Sequence, residues 1–257
     1  MSYSQKKSSL APMLIGAAIL LAAIAVIAFF VMKRAAPALD TPAGIEQALL
    51  ADPVNAPIYD VMKRAYPDEF EALTREGASA VKAGKARWQI NMTILNAVFA
   101  TEKRHRAALA QASPARLAAY RKAQTRAIEA LRDAGPAYCA TFLNTGQMRL
   151  PEGTNGPAPA LADLHIAILE ALADGRDHPV GRTLAPPSPA DWALVDKTMV
   201  ASGIDAATAR AFFDPVANRG MTADNQCKAG LSFMRAIESL PPKKVDPFFI
   251  GLINALP

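Results

Sequence analysis

The first strong pattern in the chain is an uninterrupted apolar run over residues 10–32. It contains 23 residues without a charge, from Leu10 to Met32, and a helix of that length crosses a hydrocarbon core of roughly 30 Å. A cleaved secretory signal is the alternative, because the A-P-A segment at 36–38 imitates a cleavage site. The apolar core of such a signal spans only about 7 to 15 residues. The pattern therefore predicts a transmembrane anchor that follows a short tail over 1–9.

Basic residues flank the apolar run on both sides, namely Lys6, Lys7, Lys33 and Arg34. The α-amino group adds a slight positive excess on the N-terminal side, which favours an N-terminus inside the cell. Frequent alanine, together with 20 prolines, is typical of a GC-rich bacterial genome. We therefore expect a bacterial inner-membrane protein whose remaining residues lie in the periplasm.

Beyond the anchor and a linker over 33–40, the apolar positions recur at spacings of three and four, which is typical of amphipathic helices. No stretch alternates with the period of two that a half-buried strand requires. The sequence predicts an all-α fold, a multi-helix bundle over 41–257. The predicted helices cover 41–51, 55–65, 68–82, 86–112, 113–132, 136–145, 160–173, 188–201, 205–213, 222–239 and 247–256.

The longest predicted helix, 86–112, carries an apolar stripe of Trp88, Met92, Leu95 and Phe99. Its second half is charged over 102–106. We expect the first half to lie at the centre of the bundle and the charged half to project into solvent.

Turn-rich segments at 150–159 and 174–189 interrupt the helical pattern. The domain is therefore either one bundle or two lobes over 41–148 and 159–257, and we favour one domain with two lobes.

The basic charge of the chain is concentrated near the predicted anchor. The sequence pI is about 9.3 with a net charge of +5. Four of the 28 Lys and Arg residues lie in the first 34 positions, which hold no acid, so 24 basic residues face 23 acidic ones over 35–257. Nucleic-acid binding is not expected, because a periplasmic domain does not meet DNA and Tyr120 is the one aromatic side chain near the basic segment.

A local basic patch nevertheless stands out in the hairpin that 86–112 and 113–132 would form. It comprises Lys103, Arg104, Arg106, Arg121, Lys122 and Arg126. These side chains could gather near Ser113 and contact anionic lipid headgroups or an acidic protein partner. An ordinary solvated helix face is the alternative.

Cys139 and Cys227 are the only cysteines, and each lies on an apolar helical face. In an oxidising periplasm they predict a disulfide that closes a loop of 88 residues and joins the two lobes. Two separate buried thiols are the alternative. No C-x-x-C motif is present, so the predicted role of the pair is structural.

The histidines do not stand at metal-ligand spacings, and no metal or other cofactor is expected. His165 shares an apolar face with Leu161 and Ile168. It is either a core histidine with one hydrogen bond or a catalytic residue paired with Asp163 or Glu170. No nucleophile elbow and no nucleotide-binding glycine loop occurs in the sequence.

These features together predict a single-pass, membrane-anchored helical protein of the cell envelope that acts by binding, as a scaffold or accessory subunit. An envelope enzyme with a site between the lobes is the alternative. A deep polar cleft that holds His165 or paired carboxylates would favour the enzyme, whereas a shallow surface with an exposed apolar or basic patch would favour binding.

Overall fold

The computed structural model describes residues 38–146, 156–182 and 186–255. The predicted anchor at 10–32 and its flanks Lys6, Lys7, Lys33 and Arg34 lie outside these ranges. Among the described helices, none is long and apolar enough to span a membrane.

All regular structure in the described ranges is helical, which confirms the all-α, multi-helix bundle. One 3₁₀ helix, Arg106–Gln111, accompanies the α-helices. The α-helices are α1 (Pro42–Leu50), α2 (Ala56–Ala65), α3 (Pro67–Lys82), α4 (Arg87–His105), α5 (Pro114–Ala134), α6 (Pro136–Thr145), α7 (Ala158–Asp177), α8 (Pro189–Ala201), α9 (Ala206–Phe213), α10 (Pro215–Gly220), α11 (Ala223–Glu238) and α12 (Pro242–Ala255).

Local capping residues fix several helix starts where the sequence predicts them. The Thr41 hydroxyl accepts a hydrogen bond from the amide of Gly44 at the start of α1. At the start of α8, Ser188 and Asp191 bond each other's backbone amides in a capping box. Each cap satisfies amide groups that the first turn of a helix leaves without partners.

Several helices differ from the prediction, and α7, at 158–177, is longer than the predicted 160–173. The predicted helix 86–112 ends as an α-helix at His105 and continues as the 3₁₀ helix, which packs against α7. α12 begins at Pro242 rather than at 247 and contains Pro247 inside it. The short α10 was not predicted at all.

The expected orientation of α4 is correct only in part. Ile94 and Val98 are buried as expected, and Lys103 and Arg104 are exposed. Trp88, in the first turn, is however 51% exposed. Glu102 and His105 do not project into solvent, because each is largely buried and forms a hydrogen bond with a residue of another helix. These hydrogen bonds offset the cost of removing the two polar side chains from water.

The buried apolar side chains form one continuous core that runs from Ile45 to Ile253. It includes residues from both predicted lobes, 41–148 and 159–257. α5 and α7 pack most extensively and run antiparallel, as the ion pairs Arg116–Glu170 and Arg126–Asp163 show. This packing brings helices from the two halves of the sequence around a common cleft.

Candidate functional site

A cleft of about 750 Å³ lies between α2, α4, α5, α6, α7 and α12 and is partly open to solvent. Its size falls within the roughly 300–1,000 Å³ of small-molecule binding sites. Both predicted lobes contribute to it, with α2, α4, α5 and α6 from the first and α7 and α12 from the second.

The walls of the cleft are mainly apolar. α4 contributes Leu95, Val98 and Phe99. α7 and α12 supply further aliphatic and aromatic side chains, namely Leu161, Leu164, Ile168, Phe249 and Leu252. Such walls favour the apolar part of a ligand, because its burial removes hydrocarbon surface from water.

Glu102 of α4 and His165 of α7 meet in the cleft. His165 Nδ1 lies 2.8 Å from Glu102 Oε1, and the two side chains are 15% and 14% exposed. The imidazole also packs edge-on against Phe99, with ring centroids 5.3 Å apart. The partner of His165 is therefore Glu102 rather than the predicted Asp163 or Glu170.

Two cations three positions apart line the same cleft, namely Lys103 of α4, which is exposed, and Arg106, the first residue of the 3₁₀ helix, which is half-buried. Glu102 is the one carboxylate beside these two cations among the described residues that line the cleft. The lining therefore has a net charge of +1 when His165 is neutral.

Two tyrosines and one glutamine add uncharged polar groups. Burial, and to a lesser extent Asp52, raises the pKa of Tyr59 to about 12. Burial also raises the pKa of Tyr120, with a smaller contribution from Glu102. Both phenols therefore stay protonated at neutral pH. The Oε1 atom of Gln124 is buried and has no donor among the described residues.

A second histidine–glutamate pair lies at the end of α4. His105 Nε2 is 2.9 Å from Glu69 Oε1, and Arg104 donates to the same oxygen at 3.1 Å. Burial opposes ionisation of Glu69, but these hydrogen bonds outweigh it and lower the pKa of the carboxyl. This pair joins α3 to α4 and does not line the cleft.

The structure removes Arg121 from the predicted basic patch. Arg121 is 5% exposed and donates to Glu238 at 2.5 Å and to Asp246 at 2.7 Å, so it is not available to a lipid surface. Arg104 pairs with Glu69, and Arg126 lies 3.5 Å from Asp163. Lys103 and Arg106 belong to the cleft, and Lys122 is exposed on α5.

Cys139 of α6 and Cys227 of α11 lie at disulfide distance, with their sulfur atoms 1.98 Å apart and their Cα atoms 5.6 Å apart. Both side chains are fully buried. One turn after Cys139, Phe142 and Leu143 form part of the cleft wall. The pair therefore fixes the helix that carries this wall.

Sequence reasoning missed Glu102, Gln124 and Tyr59 as site residues. The one available signal was the acidic Glu102 inside an otherwise basic segment, since an isolated acid among cations often has a specific partner. Over the described ranges, no group of three or more His, Cys, Asp and Glu side chains is placed to hold a metal ion.

No family model, curated protein or solved structure matches the chain. The cleft and its chemistry are therefore the basis on which a function can be inferred.

Proposed function

We propose that the chain is a single-pass, membrane-anchored binding protein of the bacterial cell envelope, and that its helical domain holds a small ligand in the cleft. The observation that carries this proposal is the cleft itself, with its apolar walls and few polar groups. Sites of this composition are typical of small-molecule binding, since the walls supply affinity and the polar groups set orientation.

The test is native mass spectrometry of the full chain purified from its own membrane. We expect an adduct of a few hundred daltons. Ala100→Trp should abolish it, because Ala100 is exposed at the rim of the cleft and a large ring there fills the opening. Ala118→Trp, at an exposed position of α5 outside the cleft, should retain it. Absence of an adduct, or equal occupancy in both variants, would overturn the proposal.

An envelope enzyme is the second candidate, and the position of His165 in the cleft favours it. An imidazole held by a carboxylate is a common arrangement for a general base. The ligand identified by mass spectrometry separates the two candidates. An enzyme would convert it, and His165→Gln would stop the conversion, whereas a binding protein would release it unchanged.

The periplasmic location rests on the predicted anchor and is supported by the distance between Cys139 and Cys227. Disulfides persist in oxidising compartments and are rare in the cytosol. Thiol alkylation of denatured protein from native membranes, with and without prior reduction, tests the location. Labelling only after reduction supports the periplasm, and labelling of both thiols without reduction would contradict it.

A further inference from the structure

We propose that the ligand is a lysophospholipid, meaning a single-chain amphiphile whose head carries a phosphate and a hydroxyl group. This inference rests on the proposed function and specifies the ligand of the same cleft.

The order of apolar and charged side chains along one wall of the cleft indicates an amphiphilic ligand. Leu95 and Phe99 of α4 line the cleft first, and Lys103 and then Arg106, where the chain passes into the 3₁₀ helix, line it further along. At 1.5 Å rise per residue, Leu95 and Arg106 are about 16 Å apart along the helix axis. An elongated molecule with one apolar end and one charged end matches this order.

The charge of the polar end favours an anion. Lys103 and Arg106 outnumber Glu102 among the ionised groups that line the described part of the cleft. A guanidinium and an ammonium one turn apart can contact different oxygens of one phosphate. Tyr120 adds a neutral phenol that can donate to the same group.

The hydroxyl is inferred from Gln124. Its Oε1 atom is buried and lacks a donor among the described residues, and Gln124 lines the cleft. A buried acceptor without a partner is unfavourable, so a ligand that brings a donor gains affinity there. A phosphate dianion cannot donate, whereas the glycerol hydroxyl beside it can.

The cleft volume of about 750 Å³ favours one acyl chain over two. It lies in the upper part of the range for a single drug-sized ligand, which is roughly 300–1,000 Å³. We therefore assign the site to a lysolipid rather than to a diacyl membrane lipid.

The experiment is photolabelling of the full chain in nanodiscs with lysophosphatidic acid that carries a diazirine at the end of its acyl chain. Two probes with the same chain serve as controls, namely a monoacylglycerol without charge and an alkyl phosphate without a hydroxyl. Label on α4 and α7 is mapped by mass spectrometry and normalised to the probe content of the nanodisc.

We expect label near Leu95 and Ile168. Lys103→Gln combined with Arg106→Gln should lower it about tenfold or more, because charge-assisted hydrogen bonds are lost. Lys122→Gln, an exposed change on α5, should leave it unchanged. Gln124→Leu should lower it about fivefold for the lysolipid and have little effect on the alkyl phosphate.

Two results would overturn the inference in different ways. Equal labelling of the cleft by the uncharged monoacylglycerol would exclude the lysolipid and leave the proposed binding function intact. Label found only outside the cleft, with every probe, would overturn both the ligand and the binding function.

Discussion

Gly175 of α7 packs directly against the backbone of Ala108 in the 3₁₀ helix. A Cβ atom on Gly175 would overlap the carbonyl oxygen of Ala108 and lie 2.8 Å from the amide nitrogen of Ala112. The two elements therefore touch backbone to backbone. This close approach lies in the 3₁₀ helix, which begins at Arg106 of the cleft.

Gly175→Ala should lower the free energy of unfolding by about 3 kcal/mol, the upper end of overpacking costs, because the atoms it meets are backbone and cannot rotate away. Urea denaturation of the full chain measures this change. Gly220→Ala is the control, since a Cβ there meets nothing within 4 Å. Its effect should stay within about 1 kcal/mol, the difference in helix propensity between glycine and alanine. Equal stability of the two variants would contradict the close approach.

Arg121→Ala should destabilise the fold by about 3 kcal/mol, because it removes one partner of a buried ion pair and leaves Asp246 with less compensation. Asp246 is 14% exposed and keeps only Arg182, at 3.4 Å, among its described partners. Lys122→Ala, at the exposed neighbouring position, should change stability by no more than about 0.5 kcal/mol. Thermal unfolding of both variants provides the comparison. A similarly small change in stability for both variants would contradict the buried ion pair and would indicate that Arg121 belongs to the basic surface patch.

The same residues explain which features the sequence could predict. Ser188 and Asp191 lie three positions apart, so their capping box is a local pattern. The cysteines could be matched because they are the only two and both lie on apolar faces. In contrast, Arg121 meets partners 117 and 125 positions away, and Glu102 meets His165 at a separation of 63. When the partner of a charged helical residue is not known, its sequence pattern predicts a solvent-exposed position. These pairs and the cleft could therefore be found only from the tertiary fold.

Acidification should destabilise the domain partly through Asp174. The backbone amide of Ser113 donates to Asp174 at 2.7 Å, and this bond lowers the pKa of the carboxyl below its ordinary value of 3.8. Because the folded pKa lies below the unfolded one, the stabilisation is present above about pH 4 and is lost as the pH falls through the folded value. Asp174→Asn should therefore flatten the decline of the unfolding free energy between about pH 5 and pH 2. An unchanged decline, measured by urea denaturation across this range, would contradict the assignment.

Loss of the disulfide should cost on the order of 4 kcal/mol in the chain-entropy model, because the bond closes a long loop in the unfolded chain. The sequence separation of Cys139 and Cys227 is 88. Replacement of both by alanine should lower the midpoint of urea unfolding, and a reductant should then have no further effect. The parent chain should lose a similar amount on reduction. If reduction leaves the parent unchanged, the two thiols are not bonded.

The last prediction concerns the coupling between Glu102 and His165. A double-mutant cycle with Glu102→Gln and His165→Gln should give an interaction energy of about 1 kcal/mol or more, because the hydrogen bond is direct and both partners are largely shielded from water. The matched cycle uses Asp163 and Arg126, which also link α7 to a neighbouring helix, here α5, but are 53% and 51% exposed. It should give less than about 0.5 kcal/mol, as exposed pairs usually do. If both cycles gave equally small values, His165 would not be held by Glu102 in solution, and the carboxylate-held imidazole that favours the second candidate function would be lost.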